Sequence, residues 1–91
     1  MNTFRLTVTA EGEETVVDGC VSLTVPTSDG LYGIMANHSP VIIAVTKGNI
    51  RYKTADGEKD IPVEGAAVRF ENNAASVLAR RPVIKKPAQA E

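Results

Sequence analysis

Few residues in this chain could support nucleophilic catalysis. His38 is the only histidine, Ser39 follows it directly, and Asp29 lies upstream. A nucleophile, its base and an orienting carboxylate must converge in space, and the side chains of adjacent residues such as His38 and Ser39 rarely point at each other. The sequence therefore predicts no catalytic centre and no enzyme activity of its own. It favours His38 as a turn residue or an interface contact.

The sequence also has few residues that could bind a metal ion or a phosphate group. One histidine and one cysteine, Cys20, cannot complete a tetrahedral metal site. Cys20 lies between two apolar runs, so the simplest interpretation is a small packed hydrophobic side chain. Asp29-Gly30 and Gly33 lack the strand, glycine-rich loop, helix and lysine that make a phosphate-binding unit. We therefore expect neither a metal nor a cofactor.

The elements that position these residues are predicted by a period of two. Apolar residues alternate with polar ones, or run together, at residues 4–8, 21–25, 41–45, 50–52, 61–63, 68–70 and 76–78. Alternation of this kind places one face of a strand inward. The continuous apolar run at 41–45 is typical of a central strand buried on both faces. Ala55-Asp56-Gly57 and Asn72-Asn73 favour tight hairpin turns.

The spacing of these runs predicts the fold class. No sustained 3.6-residue apolar repeat is present, and turn residues recur throughout. We expect an all-β domain at residues 1–79: a small two-sheet β-sandwich or flattened barrel of about eight to ten short strands. Residues 80–91 form a basic tail in which Pro82 and Pro87 prevent a long helix, so an extended, solvated segment is expected.

Length and charge exclude several classes of function. With 91 residues there is room for one domain, and a net charge of −1 provides no general field for nucleic acid or anionic lipid. A single cysteine excludes an intramolecular disulfide and fits a reducing, cytoplasmic setting. The N-terminus does not resemble a signal peptide. The longest apolar run is far shorter than the ~20 residues of a spanning helix, so any membrane association is expected to be indirect.

An ordered set of motifs in the middle of the chain resembles a known family. The motifs are Gly33-Ile34, Asn37-His38-Ser39-Pro40, the apolar run at 41–45, and Gly48-Asn49-Ile50-Arg51. In this order and spacing they resemble the N-terminal β-sandwich domain of the epsilon subunit of F-type rotary ATP synthases. The first run at 4–8 and the last strand at 76–79 agree as well, so the resemblance covers residues 4–79.

The resemblance implies a non-catalytic central-stalk (rotor) subunit that links the gamma subunit to the c-ring and supports coupling. It implies a peripheral position at the cytoplasmic face of the membrane, with the alpha/beta catalytic head as an indirect partner. By position, it assigns the c-ring contact to Ser28, Asp29, Gly30 and Leu31, and the gamma contact to Ala10, His38 and Ile43. Leu31 departs from the acidic residue of some relatives, which leaves Asp29 as the charge partner for basic ring loops.

Two further expectations follow. Most relatives continue into a helical hairpin that inhibits hydrolysis and in some members binds ATP, so the short tail implies a subunit without autoinhibition through such a hairpin. The alternative function is a free-standing sandwich that binds a carbohydrate or a peptide. Such modules display aromatic side chains, and this chain has two tyrosines, two phenylalanines and no tryptophan.

Overall fold

The computed structural model describes residues 2–82 of the chain, with side chains for residues 2–79. These residues form seven strands: β1 (Phe4–Ala10), β2 (Glu13–Cys20), β3 (Ser22–Thr27), β4 (Gly30–Met35), β5 (Val41–Thr54), β6 (Gly57–Glu71) and β7 (Ala74–Pro82). The predicted all-β class is confirmed. Within residues 2–82, no helix is long and apolar enough to cross a membrane. The tail expected at 80–91 lies outside the described residues from position 83 onward.

The seven strands make one continuous hydrogen-bonded sheet in the order β2-β1-β7-β6-β5-β3-β4. β1 and β7 are parallel, and every other neighbouring pair is antiparallel. β7 pairs with residues 63–71 of β6, whereas β3 pairs with residues 51–53 of β5. The two long strands therefore pass from one layer into the other. We name the layer β2-β1-β7 with the adjoining halves of β6 and β5 layer 1, and the remainder layer 2.

The structure has seven strands rather than the eight to ten short ones predicted. The difference arises because the chain bends within β5 and within β6 without interrupting either strand. The runs at 41–45 and 50–52 are two halves of β5, and those at 61–63 and 68–70 are two halves of β6. Gly48 and Gly65 have φ angles of +150° and +80°, and these conformations let the chain turn while the ladder between β5 and β6 continues.

One hydrophobic core joins the two layers and draws on all seven strands. Phe4 of β1 and Phe70 of β6 meet edge-on with ring centroids 5.3 Å apart. Among the described residues, no polar or charged side chain is buried. Cys20 is buried in this core, as predicted, and its Sγ donates to the carbonyl of Ser22; desolvation raises the pKa of the thiol.

The prediction that run 41–45 is buried on both faces is wrong. Val45 points into the core, but the side chain of Ile42 is 73% exposed and Ala44 is exposed as well. This half of β5 lies in layer 1, next to antiparallel β6, and such a layer covers one face and leaves the other to solvent.

Local turn chemistry, in contrast, is confirmed. Asn72 and Asn73 have φ angles of +53° and +57° and form the two-residue loop between the paired residues Glu71 and Ala74. Two consecutive left-handed residues characterise the type I′ turn, one of the common two-residue hairpin turns, and asparagine tolerates this conformation better than most side chains do.

Candidate protein-interaction surfaces

Residues 28–31 lie where β3 turns into β4. Ser28 and Asp29 form a two-residue loop closed by the pair Thr27 and Gly30. Oγ1 of Thr27 donates to the carbonyl of Gly30 (2.7 Å) and accepts from the backbone N–H of Asp29 (3.1 Å). The loop is exposed, and Leu31 beside it is 76% exposed. One threonine therefore holds the carboxylate and the apolar side chain at a preformed, solvent-facing tip.

His38 belongs to an intrachain cluster in the loop before β5. Its Nδ1 lies 2.7 Å from the carbonyl oxygen of Ser39, and its Nε2 lies 3.1 Å from the hydroxyl of Tyr32. Because a carbonyl only accepts, Nδ1 donates to Ser39, and the Tyr32 hydroxyl, which can donate or accept, pairs with Nε2. The half-buried ring also packs edge-on against Tyr32 and Phe70, with centroids 5.6 and 6.0 Å apart. Both nitrogens are thus engaged in holding the loop.

The structure does not gather Ala10, His38 and Ile43 into one patch. Ala10 ends β1 and Ile43 lies near the start of β5; both are half-buried and pack against the core. β7 and β6 separate their strands, so three strand spacings, about 14 Å, lie between them. His38 stands closer to Ile43, because its ring contacts Phe70, the partner of Val41 in the ladder.

One candidate surface was missed by sequence reasoning. We name Ile42, Ala44, Ala67 and Leu78 the outer apolar patch. Ala44 pairs with Ala67, which pairs with Leu78, and Ile42 lies two residues before Ala44 on the same outward face. Ile42 is 73% exposed and Leu78 is 59% exposed. A contiguous apolar area on a small domain indicates a binding surface.

A signal for this patch was present in the sequence. Ala67 and Leu78 lie at positions of their strands that face outward and would normally be polar, because the adjacent Val68 and Val77 point inward. Beside the patch, Arg69 lies opposite Ile42 in the ladder, and its Nη2 contacts a carboxylate oxygen of Glu71 at 2.7 Å. An apolar centre with a charged rim is the usual anatomy of a protein interface.

The outer face of layer 2 has different chemistry. Arg51 donates to Asp60 at 2.8 Å, and Glu58 lies 4.0 Å from the same guanidinium. The hydrogen bond from Arg51 lowers the pKa of the Asp60 carboxyl below its usual value, and the same bond raises the pKa of Arg51. The Arg51 guanidinium is therefore paired within the chain. The exposed apolar residues of this layer, Leu31 and Met35, both lie on its edge strand β4.

Other chemistries find little support in the described residues. No three His, Cys, Asp or Glu side chains among residues 2–82 stand together as a metal site. None of the four aromatic side chains forms an exposed platform for a sugar. Phe4 and Phe70 are buried, Tyr32 is half-buried against His38, and Tyr52 is half-buried.

A small β-sandwich with a contiguous apolar patch beside an exposed ion pair has the architecture of a protein-interaction domain. The family model for the ATP synthase delta/epsilon chain β-sandwich domain matches residues 3–85, and the chain belongs to this family. The resemblance seen in the motifs is therefore confirmed.

Individual relatives agree with the family assignment. An ATP synthase epsilon chain of Pediococcus pentosaceus is 38% identical over 72 residues, which cover 79% of this chain and 52% of the relative. One of Leptospira borgpetersenii is 31% identical over 70 residues, covering 77% and 55% respectively. The chain thus spans about half the length of these curated relatives.

Solved structures share the fold at low sequence identity. A chain in the Euglena gracilis mitochondrial ATP synthase superposes with a TM-score of 0.80 at 16% identity, over 89% of this chain and 52% of its own length. A chain in the Tetrahymena thermophila mitochondrial ATP synthase, from a structure of its central stalk and c-ring, superposes with a TM-score of 0.77 at 14% identity. The match covers 99% of this chain and 72% of that chain.

Proposed function

We propose that this chain is a non-catalytic central-stalk subunit of an F-type ATP synthase, which links the gamma subunit to the c-ring and supports coupling of ion flow to ATP turnover. The observation that carries the proposal is the outer apolar patch on a domain of this family. The subunit would be held peripherally at the cytoplasmic face of the membrane by the assembled complex, and would meet the alpha/beta head indirectly.

The gamma subunit is the proposed partner of the outer apolar patch. Docking there would remove Ile42 and Leu78 from water, which is the main driving force for association. The small side chains of Ala44 and Ala67 would allow a partner backbone to approach the strands closely. Of the contacts that the resemblance implies, Ile43 lies in the same half of β5 but packs against the core, His38 lies in the loop before it, and Ala10 would be a separate contact across the layer.

The c-ring is the proposed partner of residues 28–31. Asp29 presents a carboxylate at the tip, Leu31 adds an exposed apolar side chain, and Ser28 and Gly30 complete the turn. Because Thr27 already fixes the loop, little ordering entropy would be lost when it meets the basic ring loops.

Binding to gamma tests the proposal directly. Calorimetric titration of the chain into purified gamma subunit should give saturable heat. Addition of the chain to an F-type complex lacking its epsilon subunit should restore ATP-driven ion pumping. Absence of both effects with a folded chain would contradict the proposal.

Asp29→Lys is expected to weaken coupling modestly and in a salt-dependent way. An exposed ion pair contributes at most about 1 kcal/mol, and salt screens it. The measurement is ions pumped per ATP hydrolysed in reconstituted vesicles at low and high ionic strength, where the loss should be larger at low salt.

The chain supplies a matched control for this test in its other hairpin. Asp56 occupies the same position in the turn between β5 and β6, where its N–H donates to Thr54 at 3.1 Å, as that of Asp29 donates to Thr27. Asp56→Lys changes net charge equally and should leave coupling unchanged. Equal losses from the two variants, or none from Asp29→Lys at any salt concentration, would remove Asp29 from the contact.

A further inference from the structure

The side chain of Asn73 joins three segments that are far apart in the sequence. Its Oδ1 accepts from the backbone N–H of Asn37 at 2.7 Å, and its Nδ2 donates to the carbonyl of Thr3 at 3.0 Å. Both ends of the carboxamide are therefore in use. The hairpin turn between β6 and β7 is tied at the same point to the N-terminal segment and to the loop between β4 and β5.

That loop, residues 36–40, carries the chain from layer 2 to layer 1, and we name it the crossing loop. The N–H of His38 donates to the carbonyl of Met35 at 3.1 Å, and Asn37 has a left-handed φ of +67°. At its end the loop delivers the chain to Val41 and Ile42, the start of β5. The crossing loop thus carries His38 and leads directly into the strand that bears Ile42.

We propose that Asn73 is a positioning residue for the gamma-binding surface: its carboxamide fixes the crossing loop through Asn37 and preorganises the surface that includes His38 and Ile42. This inference rests on the function proposed above. The physical reason is that a loop fixed before binding need not lose its conformational freedom on binding. Asn73 itself is exposed and need not touch the partner.

Asn73→Gly removes the carboxamide and keeps the turn, because glycine adopts the φ of +57° without strain. Loss of one net hydrogen bond changes an equilibrium constant about five-fold. We expect about five-fold weaker gamma binding and faster hydrogen exchange of the Asn37 amide. The matched control is Asn72→Gly, in the same turn. Asn72 has a φ of +53°, and none of the side-chain hydrogen bonds found among the described residues involves it. It loosens the backbone equally and should bind like the wild type.

Asn73→Asp separates the two hydrogen bonds. The carboxylate still accepts from the Asn37 N–H but no longer donates to the carbonyl of Thr3. Positioning through Asn37 therefore predicts that this variant keeps both the affinity for gamma and the slow exchange of the Asn37 amide. Rescue by aspartate is a result that a general loss of stability would not give.

The outcomes distinguish this inference from the proposed function. The role of Asn73 would be overturned if Asn73→Gly and Asn72→Gly lost the same affinity for gamma. It would also be overturned if Asn73→Asp lost as much affinity as Asn73→Gly. In either case, binding of the wild type to gamma would leave the proposed function standing. Unchanged gamma affinity in Asn73→Gly would likewise overturn the role of Asn73. Absence of any binding by the wild type would contradict the proposed function and the inference together.

Discussion

Ile42→Asp is expected to weaken binding of the gamma subunit by about thirty-fold or more, which corresponds to about 2 kcal/mol, the size of a central interface contact. Ile42 is 73% exposed in the isolated chain, so the substitution should change the free energy of unfolding by no more than about 1 kcal/mol, the span of strand propensities. In the complex, the new carboxylate would be taken out of water within an apolar contact, and Arg69, which lies opposite it in the ladder, is already paired with Glu71. Calorimetric Kd values and thermal unfolding curves of the same samples measure the two effects separately.

Val16→Asp is the matched control for Ile42→Asp. Val16 is 50% exposed and apolar, and it lies on the edge strand β2, which β1, β7 and β6 separate from β5 in the sheet. The same charge placed there should leave gamma affinity within about two-fold of wild type, since surface substitutions away from a contact have small effects. If both variants lose affinity equally, the effect of Ile42→Asp is general. Wild-type affinity in a folded Ile42→Asp variant would exclude the outer apolar patch from the interface.

Ile43, the contact implied by the family resemblance, is a less informative place for the same charge. It is half-buried and packs against the core, opposite Val68 in the ladder. A carboxylate there would lower stability as well as binding, and the two losses could not be separated. The adjacent Ile42 faces outward, so a charge at position 42 tests the interface without disturbing the core, whereas a charge at position 43 does not.

Which residues of the run at 41–45 face the core and which face solvent could not be predicted from the sequence. In an alternating run such as Phe4, Leu6 and Val8, the polar residues between them reveal which side chains face inward. In the continuous run at 41–45, every residue is a candidate for the core. The pairing of Ile42 with Arg69 and of Ile43 with Val68 fixes the faces, and that pairing depends on residues far along the chain.

Features set by neighbouring residues were predicted well, and those set by distant ones were not. Asn72 and Asn73 form the expected turn because their own left-handed conformations close it. In contrast, the contact between His38 and Phe70 and the hydrogen bond between Asn73 and Asn37 join segments that meet only after β5 and β6 have folded across both layers. For the same reason residues 28–31 could be placed in a turn, whereas the outward-facing Ala67 and Leu78 could not be joined to Ile42 in one patch before the pairing of the three strands was known.

The bend in β5 is the feature on which both layers depend, and Gly48→Ala is expected to destabilise the fold by about 3 kcal/mol. Gly48 has a φ of +150°, and a Cβ there would lie 2.9 Å from Cγ of Pro26. The proline ring is tethered to its backbone and cannot swing away as a long side chain can. Relief would have to move the end of β3, which pairs with β5 at just residues 51–53.

Gly33→Ala is the control for this prediction. Gly33 lies on β4 without a positive φ, and a Cβ there would meet nothing within 4 Å, so the added methyl group should change stability by no more than about 0.5 kcal/mol. Urea unfolding of the wild type and the two variants measures the difference. The expected order places the Gly48→Ala midpoint well below the other two. A wild-type midpoint for Gly48→Ala would mean that β5 bends without needing the glycine, and that β3 is free to move aside.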